Sequence, residues 1–144
     1  MRPRAVEAAV IEWLSSMLPG VQVGTRVPER MRSPGIYRSD PAPDPPGYDP
    51  AGSFIRVTRA GGERANLVQE RPTILIECWS GESVEAERLA CAAWDAMDGL
   101  SWAGPDWVHR VELASPVNFP DTDMPDAHRY QFLAVITANL EVRT

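Results

Sequence analysis

Between Phe54 and Met97 the chain changes hydrophobic period once, and that change restricts the fold more than any other feature. Ile55 and Val57 alternate with Arg56 and Thr58, the period-two pattern of a strand with one buried face. Gly61-Gly62 follows and reads as the start of a turn, because glycine supplies positive φ without steric cost. The rest of that connection, Glu63–Arg71, has room for a short extra strand at Arg64–Val68. Thr73–Trp79 is more continuously apolar, which predicts a central strand covered on both faces. From Ser83 the period lengthens. Val84, Ala86, Leu89, Ala90, Ala93, Trp94 and Met97 form the apolar stripe of a helix. Ser83 reads as its N-cap, Glu85 and Glu87 favour its first turn, and Gly99 reads as its terminator. Two strands followed by one helix need further elements to bury their apolar faces.

The flanking segments supply them. Val6, Ala9, Val10, Trp13, Leu14 and Met17 make a second helical stripe, stopped by Pro19-Gly20. Val21, Val23, Thr25 and Val27 alternate as a strand up to Pro28. Ser101–Asp106 reads as a turn-rich linker. Val108–Ala114 reads as a strand with His109, Val111 and Leu113 on one face. Arg129–Arg143 carries the longest strand signal, with Tyr130, Phe132, Ala134, Ile136, Ala138, Leu140 and Val142 in register. The predicted order is α-β-loop-β-β-α-β-β. It implies an α+β fold with a mainly antiparallel mixed sheet and two helices packed on one face. The 144 residues fit a single domain spanning 1–144, large enough to bury roughly 68–70% of its unfolded surface.

Residues 28–53 break the pattern. Pro28, Pro34, Pro41, Pro43, Pro45, Pro46 and Pro50 remove backbone donors and predict an extended loop. Loops of that length are either functional or disordered. One reading is a floppy insertion; the other is an arm that orders against a neighbouring subunit, using Tyr37, Arg38 and Tyr48.

No motif carries chemistry. Asp121, Asp123, Asp126 and His128 lack the glycine and closing glutamate of a calcium loop, and the interleaved prolines suit turns. Ser80, Ser83, Cys78, His109 and His128 form no nucleophile elbow or other recognisable triad. Gly61-Gly62 lacks the phosphate-loop pattern. Cys78 and Cys91 have no zinc spacing and read as free thiols in a reducing compartment, one or both buried. A non-enzyme without metal or cofactor is therefore expected. The net charge of −6 argues against a dedicated nucleic-acid binder, and no apolar run reaches the length of a membrane span. All 14 basic residues are arginine, which suits bidentate pairing at interfaces. Arg56, Arg59 and Arg64 concentrate around the central hairpin. They read either as a solvated face balanced by acids or as intersubunit contacts, which at about 0–1 kcal/mol per exposed pair would set register rather than drive assembly.

The rhythm resembles a known family. Met17-Leu18-Pro19-Gly20 leads into Val21-Gln22-Val23-Gly24-Thr25-Arg26-Val27-Pro28. Later come the Phe54–Gly62 segment, Ile74-Leu75-Ile76-Glu77-Cys78-Trp79, the Glu85–Met97 helix and Arg129-Tyr130-Gln131-Phe132. Taken together these segments are similar to the tail terminator (tail-completion) proteins of long-tailed phages, over nearly the whole chain apart from the proline-rich loop. The resemblance implies a virion structural subunit at the head-proximal end of the tail, assembled in the host cytoplasm. It implies a hexameric ring that caps the tail tube and stops its growth. Its partners would be other copies of itself, the tail tube protein and a head–tail connector or neck protein, with DNA passing unread through the lumen. A neck or head-closure adaptor is the neighbouring alternative, and a small soluble ligand-binding domain the more distant one.

Overall fold

The computed structural model describes residues 1–26, 53–120 and 127–142. Helix α1 (Val6–Met17) is followed by β1 (Gln22–Gly24), β2 (Phe54–Arg64) and β3 (Gln69–Ser80). Helix α2 (Ser83–Ala103), β4 (Val108–Leu113), β5 (Val117–Asn118) and β6 (His128–Asn139) complete the order. The strands form one sheet in the order β1-β2-β3-β6-β4, and β5 pairs with β6. β1 runs parallel to β2, and every other pairing is antiparallel. Both helices lie on the same face. Val6, Val10 and Leu14 of α1 and Ala90, Ala93, Met97 and Leu100 of α2 share one core with Ile55, Val57, Ile74, Ile76, Phe132, Ala134 and Ile136. The α+β architecture with two helices on one face of a mixed sheet is the one the apolar periods predict.

Several boundaries differ from the sequence reading, each for a local reason. Gly61 and Gly62 are not a turn. They lie inside β2, both at φ 130°, where the register with β3 slips between Arg59 and Gly61. This is a bulge, the other structure that recruits paired glycines into a strand. The chain reverses at Ala65–Val68 instead, so the short strand expected at Arg64–Val68 is replaced by the end of β2 and a turn. β3 begins at Gln69, ahead of Thr73, and runs through Pro72. Proline is tolerated because the β3–β6 ladder opens between Glu70 and Thr73, where no donor is needed. β3 is central, but only its C-terminal end is covered on both faces: Glu77 and Trp79 are buried, whereas Thr73 and Leu75 are half-buried.

Helix α2 begins with Ser83 already inside it and Glu82 as its cap, without a side-chain capping bond. It continues through Gly99 for another turn and ends at Gly104. There a Cβ would lie 2.4 Å from the Leu100 carbonyl oxygen. The segment read as a linker from Ser101 is therefore helical as far as Ala103. The extra turn buries Leu100, and Ala96 joins it in the core, while Val84 is exposed. In β4 a bulge between Val108 and Arg110 turns His109 outward. Val108 replaces it in the core alongside Val111 and Leu113. β6 follows the predicted alternation from Phe132 to Ala138, and Val142 lies beyond it, exposed.

Candidate functional site

The face of the sheet away from the helices carries the densest polar chemistry. Arg56 and Glu77 are register partners on β2 and β3. The Arg56 Nη2 donates to both carboxylate oxygens of Glu77, at 2.8 and 2.7 Å. The Arg56 Nε donates to the same carboxylate at 3.2 Å, Arg129 of β6 adds a fourth bond to Glu77 at 3.2 Å, and the Arg129 Nε donates to the Phe119 carbonyl at 2.7 Å. The same guanidinium lies over the Trp79 and Phe119 rings, with centroids 4.9 and 5.0 Å away. The buried Trp79 indole N–H has no acceptor among the described residues, so its ring serves as a platform rather than a donor. Glu77 is 1% exposed, and its two arginines outnumber it. A second shared carboxylate sits towards the other end of the sheet. Glu112 accepts from Arg71 at 3.2 Å and pairs with Arg110 at 3.3 Å. The Glu77 cluster keeps a net positive charge, whereas Glu63, the register partner of Arg71, balances the second.

The opposite face holds a buried carboxylate of its own. Glu70 accepts from the Arg4 backbone N–H at 3.0 Å and from Arg59 Nη2 at 2.9 Å. Arg59 also donates to the Arg4 carbonyl, and its backbone N–H is taken by Glu7 of α1. Arg4 stacks over Trp107 at 5.4 Å. These bonds fasten the segment before α1 to the sheet. Arg2 extends the attachment by pairing with Glu141 at 2.8 Å, and that hydrogen bond holds the Glu141 carboxyl below its usual range.

The sequence-predicted interface arginines do not converge. Arg56 lies on the outer face and Arg59 on the helix face. Arg64 closes the hairpin turn by donating to the Asn66 and Leu67 carbonyls at 2.9 Å each. Asn66 completes that turn by accepting from the Val68 and Gln69 N–H groups. Arg38, Tyr37 and Tyr48 lie outside the described residues, as do Asp121, Asp123 and Asp126. His109 and His128 are exposed, and no group of three or more potential ligands is placed to hold a metal among the described residues. Burial pushes the Cys78 thiol far above its ordinary range, with the Glu77 charge adding to the effect; Cys91 is exposed on α2. Among the described residues, no helix is long and apolar enough to cross a membrane.

Two surfaces were missed in the sequence. On the helix layer, Trp102 is 81% exposed. A Cβ at Gly99 would sit 3.7 Å from both the Trp102 and the Trp13 rings, so the two indoles flank that glycine where α1 and α2 meet. Trp13 is fixed there by donating to the Ala96 carbonyl at 2.7 Å. Asp95 and Asp98 are exposed about two turns and one turn before Trp102 and share its side of α2. Taking Gly99 as the helix end had hidden this alignment. On the outer face of the sheet, an open hollow of about 340 Å³ is lined by Gly62, Glu63, Arg71, Thr73 and Val135. The glycine bulge, which reads as a turn from sequence, contributes the missing wall.

The two layers differ in charge. The helices carry Glu7, Glu12, Glu85, Glu87, Asp95 and Asp98 against the single Arg88. The strands carry Arg56, Arg59, Arg64, Arg71, Arg110 and Arg129 against Glu63, Glu70, Glu77 and Glu112.

No protein-family model and no curated protein matches this chain. Among solved structures it is similar to a chain described as from the virion of a native gene transfer agent particle. The match has a TM-score of 0.61 at 15% identity and covers 94% of this chain and 95% of that one. At that identity the likeness is one of fold, and it extends over nearly the whole of both chains.

Proposed function

We propose that this chain is a structural subunit of a phage-like virion, and within it a tail terminator. The observation that carries the reading is the end-to-end match in fold to a chain of a gene transfer agent virion. Shared architecture over both full lengths, without large unmatched additions, fits a subunit of the same size and use. The sequence rhythm of the tail terminator family points the same way, and narrows the role from virion component to tube cap.

In this role copies of the chain form a hexameric ring at the head-proximal end of the tail. The ring covers the last layer of tube protein, blocks further addition, and presents its other surface to a head–tail connector. DNA crosses the lumen without being read, and an acidic lumen would keep phosphate from adhering. The work is steric and electrostatic, with no bond made or broken. A neck or head-closure adaptor would share the fold match and differ in the surface that meets the tube.

Electron microscopy of tail tubes grown with and without the protein tests the proposal. Uniform tubes carrying a ring at one end support termination. Unchanged lengths without end density remove it, and binding to the portal complex instead would favour the neck adaptor.

A further inference from the structure

The outer side of α2 combines an exposed indole with unpaired carboxylates. Val84, Cys91, Asp95, Asp98 and Trp102 are all exposed and fall on one side of the helix, opposite the core residue Ala93. Asp95 and Asp98 have no ion-pair partner among the described residues. Arg88, the one cation on either helix, is taken by Glu85 at 2.9 Å. Cations to answer them stand in the sequence just after β1. Residues 26–38 carry Arg26, Arg30, Arg32 and Arg38 against the single acid Glu29, and Asp40, Asp44 and Asp49 come only afterwards. Residues 27–38 lie outside the described residues. We propose that residues 26–38 of one copy dock on the side of α2 that carries Asp95, Asp98 and Trp102 in a second copy. The inference deepens the ring reading above, and rests on its premise that copies of this chain meet one another.

Charge complementarity identifies the occupant. Four arginines against one glutamate meet a helix layer with six carboxylates against one arginine. Each guanidinium suits both halves of that surface: its planar fork matches a carboxylate, and its face lies on an indole. Tryptophan and arginine are also the side chains that dominate protein interfaces when desolvated. The aspartates are solvent-exposed, so their pairs fix register while the covered indole holds the contact. Topology places the two parts on different copies. Residue 26 follows β1, the strand at one edge of the sheet, and the chain returns at Phe54, the register partner of Gln22 on β1. Helix α2 packs on β3, β6 and β4, towards the other edge, and α1 covers β1 and β2. Segment and helix side thus belong to opposite flanks of one subunit, which makes the contact heterologous. Such contacts join head to tail and form a ring when the rotation closes.

Sedimentation velocity on variants of the whole chain tests the contact. Arg30→Glu with Arg32→Glu reverses the segment. Asp95→Arg with Asp98→Arg reverses the helix side, at exposed positions where arginine suits a helix. Wild-type protein should self-associate as its concentration rises, and less so as salt rises from roughly 0.05 to 0.5 M. Each double variant alone should associate at least about tenfold more weakly, because like charges then meet. An equimolar mixture of the two should recover association, since each segment again meets a helix side of opposite sign. Trp102→Ala should weaken association yet unfold at the wild-type temperature, because the ring is exposed. A wild type that stays monomeric, as docking within one chain would leave it, overturns the contact. So does a variant that associates like wild type, or a mixture that stays dissociated. The tube assay separates this outcome from the role: capping by wild type with no recovery in the mixture rejects the contact alone, whereas recovered association in protein that never caps rejects the terminator reading alone.

Discussion

Glu77 shows what the arginines of this chain do. It is almost fully buried and bound by Arg56 and Arg129, so removing it leaves two guanidinium groups uncompensated on a partly covered face. Glu77→Ala should destabilise the fold by about 3 kcal/mol, the cost of breaking a buried pair from one side. Glu112→Ala, at a partly exposed pair, should change stability by less than about 1 kcal/mol. Urea unfolding of both variants checks the contrast; equal effects would mean that Glu77 is solvated. The thiols give a second residue-scale contrast. One thiol, Cys91, should react with a maleimide in the native protein at neutral pH, and both after unfolding. The sequence shows that arginines gather around the central hairpin. It does not show their partners, because Glu70 and Glu77 sit in an apolar strand: the register brings Arg56 opposite Glu77, and Arg59 reaches Glu70 by its side chain from opposite Ile74.

Element boundaries depend on the same kind of non-local information. Paired glycines suit both a turn and a bulge, and here Asn66 took the turn by accepting from two successive N–H groups. Gly62 has no alternative residue: a Cβ there would lie 2.5 Å from the Pro72 Cα, at a φ that side chains rarely adopt. Gly62→Ala should therefore cost about 1–3 kcal/mol or more, read as a lowered unfolding midpoint. An unchanged midpoint would show that the bulge relaxes freely. Gly99 illustrates the opposite case. It reads as a helix end, yet the helix continues because Leu100 gains a place in the core and Gly104 gives a better stop. The longer α2 is what carries Trp102 onto the surface. Strong periods were legible throughout: α1, the body of α2 and the Phe132–Ala138 alternation all lie where their apolar residues predict.

At the scale of the whole molecule, the two-layer arrangement follows from those periods alone, since two helical stripes and several alternating strands have few ways to bury one another. The distribution of charge between the layers was not legible as a pattern, because acids and arginines interleave along the chain and separate only after folding. That separation gives the subunit an acidic helix side and a more basic sheet side. The most direct test of the central claim is the length distribution of growing tail tubes as purified protein is titrated in. A terminator should shorten and narrow the distribution as its ratio to tube protein rises, with every arrested tube bearing a ring at one end. Lengths independent of the added protein, with bare tube ends, would contradict it.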